Sequence, residues 1–363
     1  MVSVNNRTRG TIIMNSTIRR ACFGMLLGTG ACLVHIMLKM NSLKGLAFRR
    51  ALTLAAVGWT FLTLTTGPAF GDTNDWPAFR GPNSSGLAAT ARPPFEISPT
   101  NGLLWSAETP WSPSSPCIAG ERIFLTTFAD GKLETRAYAT KDGKLLWSRI
   151  APAEILEQFH PAYGSPATAT PVSDGRRVVS YFGSSGLFCY DAAEGKELWR
   201  HLLPVAKTHG NFGSGTSPVL AAGRVILNRD LLSGSSILAL DAETGRQLWE
   251  TPRPELPTSY STPILWHHDG LSELIVAGSL SLRAYDPQTG GERWRVQGLP
   301  AAACTTPVLG DGWLYFAGPQ TLRQLSRSLV TENAPMVNKD DCALIQPRRA
   351  VLAFARRHPS IES

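Results

Sequence analysis

Short apolar runs, each opened by a Ser/Thr-Pro pair and broken by a glycine, recur along the middle of this chain. Pro116, Pro171, Pro218, Pro263 and Pro307 all follow Ser or Thr. In SPVLAAGRVILN from Ser217 and TPVLGDGWLYFAG from Thr306, apolar residues alternate or cluster, the chain turns at a Gly, and apolar residues resume. That is the pattern of a β-hairpin. A third run follows, ending in pairs such as Tyr190-Asp191 or Leu240-Asp241. A second glycine turn then leads into a fourth run that contains Trp. The pattern predicts units of four antiparallel strands, with proline tolerated at the head of each first strand because no ladder donor is lost there.

The second turn carries the strongest periodic signal. ATKDGKLLW (139–147), DAAEGKELW (191–199), DAETGRQLW (241–249) and DPQTGGERW (286–294) superimpose without gaps. In each, Trp follows Gly by four residues: Gly143/Trp147, Gly195/Trp199, Gly245/Trp249 and Gly290/Trp294. Asp191, Asp241 and Asp286 open three of the segments, and Ala139 the other. The tryptophans stand 52, 50 and 45 residues apart, the spacing of one four-stranded propeller blade. Glycine supplies the positive φ of a tight or bulged turn. Aspartate accepts hydrogen bonds from backbone N–H groups two or three residues on. Tryptophan offers a large apolar surface to wedge between blades. These residues read as architecture, and the fold class as all-β, a β-propeller of four-stranded antiparallel blades.

Four units are complete. A fifth starts at Thr306-Pro307 and stays in phase through Thr321-Leu322-Arg323, but Ser326 stands where Asp is expected and no Gly or Trp follows. Ahead of the first unit, Asn101-Gly102-Leu103-Leu104-Trp105 reads as an orphan fourth strand, one residue shorter after its Gly. Either that strand completes the fifth blade and closes a five-bladed ring, or the propeller is an open arc with an exposed edge. The loss of pattern after Leu325 favours the arc.

The run Ile237 to Trp249 resembles the PQQ-type propeller repeat, L-x-A-x-D-x-x-T-G-x-x-x-W, with Ile237 in place of its first Leu, and so does Leu282 to Trp294. The resemblance covers roughly 105–326. Asp75-Trp76-Pro77-Ala78-Phe79-Arg80-Gly81-Pro82 is similar to the start of exported bacterial propellers of the BamB-like kind. The resemblance implies a parent of seven or eight blades, of which this chain would be a truncated part. It implies two kinds of function: a scaffold in outer-membrane protein assembly, or a quinoprotein dehydrogenase holding PQQ and a metal. Fold alone transfers neither. The dehydrogenase needs an oxygen-rich cage for Ca²⁺, and many such relatives carry adjacent cysteines over the cofactor. No two cysteines are adjacent here, and no Glu/Asn/Asp cluster stands outside the turns. The favoured reading is an exported, non-catalytic binding or scaffold protein without a cofactor, with envelope proteins or peptides as partners. The alternative is a PQQ- and Ca-dependent dehydrogenase or an inactive descendant of one.

Charge sharpens this picture. The formal net charge is +7, but its location matters. Residues 1–71 hold eight Lys/Arg and no acid, and 327–363 hold six against four. The stretch 72–326 is left with 21 basic and 24 acidic residues, so the body is mildly acidic. A phosphate-binding surface needs a positive body, which argues against nucleic acid.

Residues 40–71 read as a signal peptide. Lys44, Arg49 and Arg50 precede the apolar run Ala51 to Leu64, and small residues flank a cleavage point at Gly71-Asp72. The expected location is the periplasm or outside the cell; a retained signal-anchor would tie the N-terminus to the membrane. The remaining divisions are an upstream extension of doubtful function (1–39), a lead-in (72–104), the repeats (105–326) and an irregular basic tail (327–363). Cys22 and Cys32 precede the cleavage point. Cys117, Cys189, Cys304 and Cys342 are widely spaced and read as buried thiols in strands rather than a metal or redox motif.

No nucleophile elbow, phosphate loop or zinc motif appears, so no catalytic, cofactor-binding or metal residue is assigned. His267-His268, ahead of Asp269-Gly270, read as exposed loop histidines. The chemically varied segments are those joining one blade's Trp strand to the next Ser/Thr-Pro strand. They bring His160 and Tyr163, then His209, Asn211 and Phe212, then Tyr260 toward one mouth of the propeller, where a ligand or partner face is expected. The competing reading is that they only pack the blade ends.

Overall fold

The computed structural model describes residues 9–15, 75–88, 91, 98, 102–162, 164–255, 257–297, 303–310, 313–318 and 351–355. The 40–71 segment and Tyr163 lie outside the described residues. β1 (Arg9–Asn15) and β2 (Leu103–Pro110) pair antiparallel. Four four-stranded antiparallel sheets follow in chain order. Blade one holds β3 (Cys117–Ala119), β4 (Arg122–Ala129), β5 (Lys132–Ala139) and β6 (Leu145–Ala151). Blade two holds β7 (Val172–Ser173), β8 (Arg177–Phe182), β9 (Gly186–Asp191) and β10 (Glu197–Leu202). Blade three holds β11 (Val219–Ala221), β12 (Arg224–Arg229), β13 (Ser236–Asp241) and β14 (Gln247–Pro252). Blade four holds β15 (Ile264–His268), β16 (Leu271–Gly278), β17 (Ser281–Tyr285) and β18 (Glu292–Gln297). A fifth sheet contains β19 (Val308–Gly310), β20 (Trp313–Gly318) and β21 (Val351–Ala355). The sequence thus placed the repeated strands correctly, and each first strand begins at the residue after its proline. Two segments outside the repeats supply strands: the upstream extension 1–39 gives β1, and the irregular tail 327–363 gives β21. Among the described residues β2 pairs with no strand of the fifth sheet, so strand pairing does not close the ring there.

The apolar cores lie between consecutive sheets. Phe124, Ala137 and Trp147 of blade one pack with Val178, Phe182 and Phe188 of blade two. Val179, Leu187 and Trp199 of blade two pack with Val225, Leu227 and Leu240 of blade three. Ile226 and Ile237 meet Leu274 and Val276, and Ile275 and Ala284 meet Leu314 and Phe316. Every residue of β8 is buried because both faces of a blade are covered. For that reason these strands read as apolar clusters rather than strict alternation.

The Gly-x-x-x-Trp signature is the joint between sheets. Each Trp lies on the turn glycine of the following blade. A Cβ on Gly143 would stand 2.4 Å from Trp105, on Gly195 2.5 Å from Trp147, on Gly245 2.6 Å from Trp199, and on Gly290 2.5 Å from Trp249. The indole Nε1 atoms donate to Thr140 O (2.9 Å), Ala192 O (3.2 Å), Ala242 O (3.1 Å) and Pro287 O (3.3 Å), each three residues before that glycine. Asp191, Asp241 and Asp286 each accept two backbone N–H bonds within their turns. Trp105 docks like the others, as a fourth strand should. Among the described residues no turn glycine of the fifth sheet lies under Trp294, and its Nε1 donates to Glu273 of its own blade (3.1 Å).

The hydroxyls before the prolines do similar work on the inner strands. Ser115 N donates to Thr170 Oγ1 (3.1 Å), Thr170 N to Ser217 Oγ (3.0 Å) and Ser217 N to Thr262 Oγ1 (3.1 Å). The Ser/Thr-Pro pair is therefore a stitch from blade to blade as well as a strand start.

A candidate binding face at the linker end

In a four-stranded antiparallel blade, the linker to the next blade and the turn between the second and third strands share one end. Backbone bonds tie them together there: Ala206 N donates to Gly183 O (2.8 Å) and Leu203 N to Ser185 O (3.1 Å). His160 and Phe212, from successive linkers, stack with ring centroids 6.1 Å apart and planes at 30°. Both are exposed, Phe212 by 46%. His209 and Asn211 form an exposed 3-10 turn, His209–Asn211, anchored by His209 N donating to Thr258 Oγ1 (2.9 Å). Tyr260 is half-buried; its N donates to Ala303 O (2.8 Å) and its ring lies against Gly215, whose Cβ would stand 3.0 Å from Cδ1. The structure thus brings His160 and Phe212 into contact, with His209 and Asn211 on the linker of Phe212 and Tyr260 on the next one.

Beneath this aromatic surface lies a buried polar layer that the sequence did not reveal. Glu157, only 2% exposed, accepts Ser214 N (3.2 Å) and Ser214 Oγ (2.8 Å) at Oε2. It joins the two linkers that carry His160 and Phe212. Burial pushes its carboxyl up to about 7, against the pull of Ser214 and Arg229. Gly183 makes the room, since a Cβ there would stand 2.2 Å from Glu157 Oε2. Alongside, the fully buried Arg253 guanidinium grips Asp230 (Nε to Oδ1 2.8 Å, Nη2 to Oδ2 3.0 Å) and donates to Tyr285 Oη (2.6 Å). Ser259 Oγ donates to Asp230 Oδ2 (2.6 Å). Arg229 reaches back to Pro204 O. Among Tyr181, Ser214, Arg229, Asp230 and Ser259 there remains a cavity of about 10 Å³, room for about one water. No regular spacing marks these side chains, so periodicity could not find them.

Two sequence expectations change. His267 and His268 end β15 rather than sitting in a loop. The His268 ring packs 4.3 Å from that of Trp266, and its Nε2 lies 3.0 Å from Glu273. Cys117 and Cys189 are buried as expected, but Cys304 is exposed and precedes β19.

The donor set does not suit a Ca²⁺ site at this end. Among the described residues no three His, Cys, Asp or Glu side chains converge. Asp230 is occupied by Arg253 and Ser259, so a cation would have to displace a buried guanidinium.

Sheets of this repeat, joined by Trp on Gly, define a PQQ-repeat β-propeller protein. Residues 157–318 match the family model described as outer membrane protein assembly factor BamB. The chain is 28% identical over 227 residues to the serine/threonine-protein kinase AfsK of Streptomyces coelicolor, covering 60% of this chain and 23% of that one. It is 30% identical over 166 residues to quinohemoprotein alcohol dehydrogenase ADH IIB of Pseudomonas putida, covering 42% and 24%. The chain therefore spans about a quarter of the length of these curated relatives. Among solved structures, BamB from Moraxella catarrhalis aligns with 17% identity over 60% of this chain and 61% of that one, at a TM-score of 0.45. Among the described residues, no helix is long and apolar enough to cross a membrane.

Proposed function

We propose that this protein is an exported, non-catalytic propeller that binds an envelope protein or peptide on its linker face. The observation that carries this reading is the stacked, exposed His160–Phe212 pair, held on a base that Glu157 and Ser214 fasten from below. Aromatic groups fixed on a rigid scaffold suit recognition, because little side-chain entropy is lost on binding. The filled interior under the face favours a partner lying on the surface over a cofactor inserted at that end. The match to the BamB family model supports the same direction. The export signal read in 40–71 is part of this proposal, as is action without PQQ or metal.

The test is co-purification of the full chain from envelope extracts beside a variant carrying His160→Ser and Phe212→Ser. Both residues are exposed, so the fold should persist. A partner retained by the wild type and lost from the variant is expected; equal recovery from both would refute the assignment of the face. The alternative is favoured by the partial likeness to the alcohol dehydrogenase. Titration with PQQ and Ca²⁺ tests it, and a saturable absorbance change with dye-linked dehydrogenase activity would establish it in place of the scaffold.

A further inference from the structure

The Asp75–Pro82 motif is absorbed only in part by the fold. Its flanks are structural. Asp75 Oδ1 accepts Gly120 N (2.8 Å), and Trp76 exchanges two backbone bonds with Ile118 on β3 (2.8 Å each). Pro77 O accepts Ser173 N at the end of β7 (2.8 Å). Ala78 is buried in the core between blades two and three. Farther on, the Asn83 amide brackets Leu265 on β15, donating to its O (2.6 Å) and accepting from its N (2.8 Å). The segment thus crosses the inner strands of blades one, two and four, pinned at both ends.

Between those pins, Phe79 and Arg80 face the fifth sheet across a cavity of about 370 Å³ shared with Thr305, Thr306, Tyr315 and Phe316. That volume lies in the range of small-ligand sites, roughly 300–1,000 Å³. Arg80 holds a left-handed backbone (φ 59°), a conformation disfavoured for a non-glycine residue. Gly86 leaves space beside its guanidinium, as a Cβ there would stand 2.8 Å from Nη2. Arg80 Nε is buried without a hydrogen-bond partner, and no ion pair to Arg80 exists among the described residues. The Arg80 side chain lines this cavity together with Thr305, Thr306 and the aromatic residues Phe79 and Phe316, a set that suits a planar carboxylate carried on an aromatic body.

We infer that this cavity binds an aryl-bearing carboxylate, either a free small acid or the C-terminal carboxylate of a peptide ending in an aromatic residue, with Arg80 holding the carboxylate. The site shares no lining residue with the Glu157–Phe212 face, so it stands or falls independently of the proposed scaffold role.

The test is calorimetric titration of the full chain with 3-phenylpropionate, its amide, and a tetrapeptide ending in Phe as free acid or amide. Each acid that binds is expected to bind about tenfold or more tightly than its amide, the usual worth of a charge-assisted hydrogen bond. Binding should also slow alkylation of Cys304, which lines the same cavity, as mapped by peptide mass. Tight binding by the free acid alone assigns a small-molecule site; tight binding by the peptide alone assigns a C-terminus reader. Arg80→Gln should abolish the preference for acid over amide in a chain that keeps its far-UV spectrum. The acid/amide comparison on the wild type stands even if that variant misfolds. Equal affinity of acid and amide, no saturable binding, or unchanged affinity in a folded Arg80→Gln variant would overturn the inference.

Discussion

Alanine at Gly245 and at Gly223 separates the cost of backbone conformation from the cost of the inter-blade joint. The two glycines belong to turns of blade three and have nearly the same φ, 70° and 75°. Alanine at either carries the left-handed penalty of about 1–2 kcal/mol. At Gly223 a Cβ meets nothing within 4 Å, so that penalty is the whole effect. At Gly245 the Cβ would stand 2.6 Å from Trp199 Cδ2 and Cε3, where carbon atoms prefer about 3.5–4.0 Å. The indole must retreat by roughly 1 Å in a close-packed joint, at a cost of about 1–3 kcal/mol. It also strains the Nε1 bond to Ala242 O, worth roughly 1 kcal/mol. Urea unfolding followed by circular dichroism should show Gly245→Ala losing about 3–5 kcal/mol and Gly223→Ala about 1–2. In a Trp199→Ala background the Gly245→Ala penalty should fall to that of Gly223→Ala. Equal losses from the two glycine variants in the wild-type background would refute the view that the signature is a joint between blades.

Three further outcomes follow from the polar layer and the turns. The folded-state carboxyl of Glu157 is raised from the ordinary 4.5 to about 7. The folded chain therefore holds more protons than the unfolded chain across that window, and stability falls as pH rises through it. Relative to Glu157→Gln, the wild type should lose up to about 3 kcal/mol between pH 4.5 and pH 8; parallel pH profiles from urea midpoints would contradict this. Asp230→Ala leaves the fully buried Arg253 charge unpaired and should cost about 3–5 kcal/mol. Arg200→Ala breaks the exposed Glu197 pair and removes the guanidinium from over the Phe188 ring and should cost less than about 2 kcal/mol; similar losses from the two would show that burial does not decide. Asp241→Ala removes the acceptor of Glu243 N and Thr244 N and should lower the melting temperature, whereas an unchanged value would show that the turn needs only its glycine.

Much of the fold was legible because its determinants are local and repeated. Asp241, Gly245 and Trp249 sit within nine residues and act on their own turn or on the adjacent blade. The orphan strand ending in Trp105 was recognisable for the same reason, and Trp105 does dock on Gly143. The partners of β2 and the third strand of the fifth sheet come from distant segments with no repeat to mark them, so no periodic reading could supply them. The stitching role of Ser115, Thr170, Ser217 and Thr262 was hidden because their hydroxyls act between blades. The candidate face was half visible: His160 and Phe212 stood out as aromatics in linkers. Glu157, Asp230 and Arg253 did not, since a single buried charge looks like any surface charge until its neighbours are known. Phe79 and Arg80 were seen only as part of a motif, because the wall opposite them lies more than 200 positions away.

The central claim, that the linker face is the binding surface, is tested most directly by site-specific photocrosslinking in intact cells. A photoreactive side chain is placed at Phe212, and at Lys144 in the turn between the third and fourth strands as a control at the other end of blade one. The account predicts a discrete adduct from position 212 that disappears when His160→Ser is added, and none from position 144. The same adduct from both positions, or no adduct from 212 in cells that export the protein, would contradict it.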